Sequence, residues 1–287
     1  VTLIEVVVVI AIIAVIASMT LAGVQRVRAA AARVACANNM KQVALATHSY
    51  HDAQQKLPPG VVIEPNSPQQ YMSWLTRLLP YIEQTPMWDE AVRSYRSNPN
   101  PFDRDNPHPL LSTSVKLYVC PADDRVSTAH RSHGRLVAFT SYLGVNGTNV
   151  TRGDGLLGLN STVSFSAVSD GLSNTLLCGE RPPSADFFYG WWYVGAGQTN
   201  TGSCDMHLGV TEIILRPKVF PNCPRGPYHF QPGSLDDCHQ FHFWSFHPGG
   251  AHFALADGSV RFLKYTADPV MPALATRAGG EAVTVPE

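Results

Sequence analysis

Apolar residues run almost unbroken through the first 24 positions, VTLIEVVVVIAIIAVIASMTLAGV, with Glu5 as the single charge. About 20 such residues cross a bilayer core as a helix, so this segment is a spanning candidate. It is too long for the apolar region of a signal peptide, no basic stretch precedes it, and no small-residue cleavage site follows. The pattern then changes. Residues 25–57, QRVRAAAARVACANNMKQVALATHSYHDAQQKL, set Val34, Met40, Val43 and Leu45 among polar neighbours. Gly23 is the only glycine before Gly60, and the first proline is Pro58. The pattern predicts one helix continuing to about His51 or Leu57, a rod roughly 75–85 Å long. Its first half, 1–24, is apolar all round. Its second half, 25–56, is amphipathic and suited to lie on a globular head.

From residue 57 to 287 the chain reads as an α+β head, rich in loops and dominated by antiparallel strands. WLTRLLPYIEQTPMWDEAV has helical spacing, with Leu75, Leu78, Leu79 and Ile82 on one face and Pro80 interrupting. Residues 97–109 are loop by composition. VKLYVCPADD alternates as a strand entering a turn, and short apolar runs recur at LVAFTSYLGV and NTLLCGE. Near the C-terminus, AHFALADGSVRFL reads as a β-hairpin over about 251–264. A two-residue Asp257–Gly258 turn would set Leu255 opposite Val260 and Phe253 opposite Phe262, with all four on one buried face.

Composition narrows the function class. Net charge is −1 and charged residues make up 15%, with no basic block, so nucleic acid is not an expected partner. The six cysteines, at 36, 120, 178, 204, 223 and 238, form no CxxC pair. An even, dispersed count suits disulfides made in an oxidising compartment. Cys36–Cys120 is the expected bridge, and further bridges are expected among Cys178, Cys204, Cys223 and Cys238. An ionised Glu5 in an apolar setting needs a partner. The α-amine of a neighbouring chain's Val1 would serve; an acid tolerated at a membrane interface is the plainer alternative.

TLIEVVVVIAIIAVIA resembles the mature N-terminus of type IV pilins and pseudopilins, with an acid at position five. The His247-to-Asp257–Gly258 spacing (H-X9-DG) resembles the large bacterial family of prepilin-processed proteins carrying that C-terminal signature. CANNMKQVALATHSYHD, LPPG, WLTRLLPYIEQ, YVCPADD and SDGLSNTLLCGE extend the likeness to about residue 264. The resemblance implies a chain that begins at a processed, methylated N-terminus and polymerises through its helix into an extracellular, cell-surface filament of identical subunits. It also implies a prepilin peptidase, inner-membrane assembly machinery, and the membrane itself before assembly. Val1 stands where that family usually has Phe, and Ala22 where a proline is frequent.

Catalytic chemistry finds little footing. GxSxG, HExxH and Walker patterns are absent from the sequence, so an enzyme is not expected. His239, His242, His247 and His252 crowd one stretch, but on a strand His239 and His242 would face opposite sides. A metal site would draw on His247 and Asp257, and a calcium loop on Asp123, Asp124, Asp170 and Asn174; turn and cap roles compete for all of these. Two other readings remain: a minor pseudopilin of a type II-like secretion system, and a membrane-anchored binding module using Trp191, Trp192 and Tyr193.

Overall fold

With no helix breaker to stop it, the N-terminal segment forms one helix, α1 (Leu3–Gln54), about 78 Å long. The computed structural model describes residues 2–65, 67–281 and 283–286, the side chains at 18, 19, 21 and 22 excepted. Val1 therefore lies outside the described residues. A capping box opens α1: Glu5 N–H donates to Thr2 Oγ1 (3.4 Å) and Thr2 N–H donates to Glu5 Oε2 (2.7 Å). It ends at Gln55, whose left-handed backbone (φ 59°) returns its N–H to the His51 carbonyl.

The two halves of α1 live in different surroundings. From Leu3 to Ile16 every large apolar side chain is exposed, Leu3 at 82% and Val7 at 58%, and Val27 is still 69% exposed. Farther on, Cys36, Met40, Val43, Ala44 and Thr47 recur at helical spacing and are buried against the head. Among the described residues no helix is long and apolar enough to cross a membrane. The uninterrupted run of described side chains from the apolar half covers 3–17, about 22 Å of helix.

Pro80 does break the next helical segment. It yields α2 (Trp74–Arg77), a 3-10 turn at Leu79–Ile82, and α3 (Thr85–Ser97). A small hairpin pairs β1 (His130–Ser132) with β2 (Arg135–Val137) across His133–Gly134, both at positive φ. The main sheet holds β3 (Tyr142–Val145), β4 (Leu176–Glu180), β5 (His207–Leu208), β6 (Gly250–Leu255) and β7 (Val260–Lys264), ordered β5-β3-β4-β6-β7. Only β3–β5 is parallel. The short helix α4 (Met271–Ala275) follows.

This sheet is a middle layer. One face, with Tyr142, Cys178 and Ala254, packs under α1 and the helical segment around Trp74 and Leu78. The other, with Leu143, Val145, Leu176, Phe253 and Leu255, packs on Phe230, Phe241 and α4.

Two sequence expectations need correction. The C-terminal hairpin exists, but its register is shifted by one: Ala254 pairs with Val260, Phe253 with Arg261, and His252 with Phe262. Gly258 (φ +80°) follows a turn closed by Gly258 N–H to the Leu255 carbonyl, and Leu255 N–H bonds the Ser259 carbonyl. The loop thus has three residues, the bulged alternative to a two-residue turn. One step of register exchanges faces, so Phe253 and Phe262 lie on opposite sides. The second correction is VKLYVC, which forms a 3-10 turn at Lys116–Tyr118 rather than a strand. Its Tyr118 carbonyl is taken by Ser141 N–H and the Thr140 hydroxyl, which holds the segment crosswise beneath α1.

Candidate functional site

On the helix-facing side of the sheet, register aligns Tyr142 with Glu180 and His252 with Phe262. His252 N–H donates to Glu180 Oε2 (2.7 Å) and joins the two pairs into one row across four strands. Helix α1 crosses this row. The Arg33 guanidinium lies 3.4 Å from the Phe262 ring centroid, a cation–π contact. One turn later, Cys36 is bonded to Cys120. Tyr142 Oη donates to the Cys36 carbonyl (3.5 Å), and Asn39 Nδ2 donates to the Val119 carbonyl (3.0 Å).

The next helix-facing row is Gly144, Cys178, Ala254 and Val260. Small side chains here let α1 approach the sheet closely. Gly179 faces the other way, where an added Cβ would fall 2.3 Å from the Phe253 ring. Leu177 is the extra residue at the β4 irregularity, which brings both Leu177 and Cys178 to the helix side.

At the centre sits Glu180, 1% exposed and flanked by two buried imidazoles. His247 Nε2 lies 3.3 Å from Glu180 Oε1 and His252 Nδ1 lies 3.2 Å from Oε2. Burial pushes the Glu180 carboxyl up, but the hydrogen bonds and charge of His247 and His252 outweigh it and hold it below its ordinary value. His247 is fixed by its own loop: its N–H donates to Ser245 Oγ, which donates to the Gly250 carbonyl. Its Nε2 also lies 3.4 Å from Cys120 Sγ.

Both ends of H-X9-DG therefore meet the helix. His247 abuts the disulfide that anchors Cys36. Eleven residues on, the Gly258 carbonyl accepts a 2.7 Å hydrogen bond from Lys41 Nζ of α1. Asp257 supports the turn itself, accepting the Ser259 N–H (2.8 Å). The signature works as a clamp, with the β6–β7 hairpin gripping the second half of α1 at two points.

The structure separates the other sequence candidates. His247 and Asp257 stand at opposite ends of β6 and share no ligand geometry. Asp123 is buried against Arg125, which bonds both its carboxylate oxygens (2.8 and 2.7 Å). Asp124 lies in the 3-10 turn that Asp123 caps. Asp170 accepts the Gly279 and Gly280 N–H groups and tethers the C-terminal segment. Asn174 Nδ2 reaches only the Asp170 carbonyl. Asp123 caps its turn and Asp170 tethers a segment, and none of the four belongs to the buried group of metal-type ligands found among the described residues.

His239 and His242 do not face apart, because a 3-10 turn (Asp237–Phe241) brings them together. His242 Nδ1 lies 3.0 Å from the Phe243 carbonyl and must donate to it, so its Nε2 accepts from His239 Nδ1 (2.7 Å). A second disulfide, Cys223–Cys238, forms nearby; Cys178 and Cys204 are free and buried instead of bridged. Burial pushes the Cys178 thiol up to about 12, so it is a poor nucleophile.

The aromatic stretch is mostly core. Trp192 donates to the Thr113 carbonyl (2.7 Å) and Tyr193 Oη bonds His108 Nδ1 (2.9 Å). Trp191 borders a cavity of about 320 Å³, with Tyr71, Phe102, His133 and Phe188. The residues that sequence reasoning missed are Arg33, Lys41 and Glu180. Only Glu180 left a trace: a charge ending an otherwise apolar strand run.

A family model described as "Protein of unknown function (DUF1559)" matches residues 25–270. Comparison with curated proteins and with solved structures gave no match. The matched span contains both disulfides, Lys41, Glu180 and the whole H-X9-DG hairpin, and begins where the apolar half of α1 ends.

Proposed function

The chain belongs to the DUF1559 family, and from that premise we propose that it is the structural subunit of a type IV pilus-like filament on the cell surface. The observation that carries this reading is the division of α1. Its second half is clamped to the head, while Leu3 to Ile16 present apolar side chains on every side. An apolar surface of that extent requires cover. A stripe could be covered by one partner; a rod exposed all round needs neighbours on all sides, as in a bundle of identical helices.

Before assembly, the sequence of residues 1–24 is suited to the inner membrane, and a prepilin peptidase and an assembly machine would deliver it to the bundle. Transfer from lipid to helices exchanges one apolar setting for another, and each packed neighbour then contributes about 25 cal/mol per Å² removed from water. The two disulfides accord with an oxidising, extracellular setting. In this reading the head is a structural tile without catalytic work.

Glu5 has two separable roles in this scheme. Within its own chain it completes a capping box, a position that Gln fills equally well. Between chains its charge would neutralise the N-terminal amine of the subunit beside it. Glu5→Gln keeps the cap and removes the charge. The expected result is a folded head, by circular dichroism, with filament yield in sheared surface material reduced at least about tenfold, the loss of one charge-assisted pair. Normal filament yield from this variant would refute the pairing.

A further inference from the structure

Four residues distant in sequence, Cys36, Cys120, Glu180 and His247, each bring one donor atom to a single buried point, all within 4.8 Å of one another. They come from four different segments: α1, the loop after the Lys116–Tyr118 turn, β4, and the loop before β6. The two sulfurs are joined to each other. We propose that when this disulfide is reduced the four side chains hold one zinc-class divalent cation, through two thiolates, one imidazole and one carboxylate.

The donor set is a soft-to-borderline one that suits Zn²⁺. In a tetrahedral site with metal–sulfur bonds of about 2.3 Å and metal–nitrogen or –oxygen bonds of about 2.0–2.2 Å, neighbouring donors sit about 3.3–3.8 Å apart. Two edges already have that length: Cys120 Sγ to His247 Nε2 at 3.4 Å, and His247 Nε2 to Glu180 Oε1 at 3.3 Å. The sulfur–sulfur edge is the one that must open. Glu180 Oε1 is buried and faces the cluster, with His247 Nε2 3.3 Å away but off the line of a regular hydrogen bond. The other oxygen, Oε2, is held by the N–H and Nδ1 of His252. That is the outer contact that orients a ligating carboxylate.

The exchange balances with a dithiol reductant. Two electrons and two hydrogens pass from the reductant to the disulfide, leaving a cyclic disulfide on the reductant and thiols on Cys36 and Cys120. Binding of the cation then releases both thiol protons. Reoxidation reverses the sequence and expels the cation. Either form fastens α1 to the sheet, so the reduced chain keeps the helix docked until the bridge closes.

The test uses the full chain in detergent with Cys223→Ala and Cys238→Ala, which removes the other reducible pair. After reduction by a phosphine and anaerobic removal of the reagent, cobalt(II) is titrated in. The expected result is one equivalent bound per chain with thiolate-to-cobalt charge-transfer absorption, bleached by stoichiometric zinc and absent before reduction. Glu180→Ala and His247→Ala, each shown folded in the oxidised state, should weaken binding at least about tenfold. Absence of the thiolate band in the reduced parent chain would overturn the proposal. Equal affinity of the parent and both variants would overturn it as well.

Discussion

The two bridges differ in the length of chain they close, and this gives a quantitative test of how the helix is tied to the head. Cys36–Cys120 spans a separation of 84 residues and Cys223–Cys238 one of 15. Loop-closure entropy alone gives about 4.5 kcal/mol for the first and about 3 kcal/mol for the second. The long bridge has a further role, because it packs under Glu180 and His247. Replacing Cys36 and Cys120 by Ala leaves a buried ionised group beside empty space and adds a cavity cost. The double variant Cys36→Ala/Cys120→Ala should therefore lose at least about 4 kcal/mol, and Cys223→Ala/Cys238→Ala about 3 kcal/mol or less. The assay is urea unfolding of the full chain in mild detergent, followed by near-UV circular dichroism of the buried tryptophans. If the long bridge proves worth less than the short one, the helix is not held to the head as described.

Lys41→Met should keep the stem packing but lose the charged hydrogen bond to the Gly258 carbonyl, costing about 1.5–3 kcal/mol in the same unfolding assay. Acid should destabilise the head. Burial holds His207 and His242 neutral, each lowered to about 4. Unfolded, both would take up protons near about 6.5, so their contribution is complete above that pH and lost as pH falls through 4. Glu180, held low by its imidazoles, acts in the same direction. Asp205, raised to about 6 by burial, opposes them: its contribution is complete below about 3.8 and gone above 6. Glu212 and Asp237, also raised by burial, act with Asp205, while His108 and His133, also lowered by burial, act with His207 and His242. The four histidines outweigh the three acids, so the melting temperature should fall between pH 7 and pH 4. A flat or rising profile would contradict these assignments.

What was legible in the sequence was what one local signal decides. The helix was visible because nothing in it breaks a helix, and Cys36–Cys120 was the bridge expected from an even, dispersed set of cysteines. The hairpin was visible from Asp257–Gly258, but its register was not. All six residues of β6 are buried, so alternation does not mark a face, and the choice between two and three loop residues rests on Gly258 closing a turn with Leu255. VKLYVC alternates like a strand, yet it lies beneath α1 with the Tyr118 carbonyl taken by Ser141 and Thr140 and the Val119 carbonyl taken by Asn39. His239 and His242 met because a 3-10 turn replaced the extended backbone that three-residue spacing suggested. The clamp was hidden for a different reason. Arg33, Lys41, Cys120, Glu180 and His247 are ordinary residues in their own segments, and only the sheet order β4-β6-β7 under α1 assembles them.

The side-by-side packing of apolar helices is tested most directly by electron microscopy of the native protein sheared from cells without detergent. The account requires thin, uniform filaments whose helical reconstruction places the segment from Leu3 to Ile16 of each subunit at the axis, with Glu5 beside a neighbour's first residue. Isolated single particles with that segment embedded in lipid would contradict it.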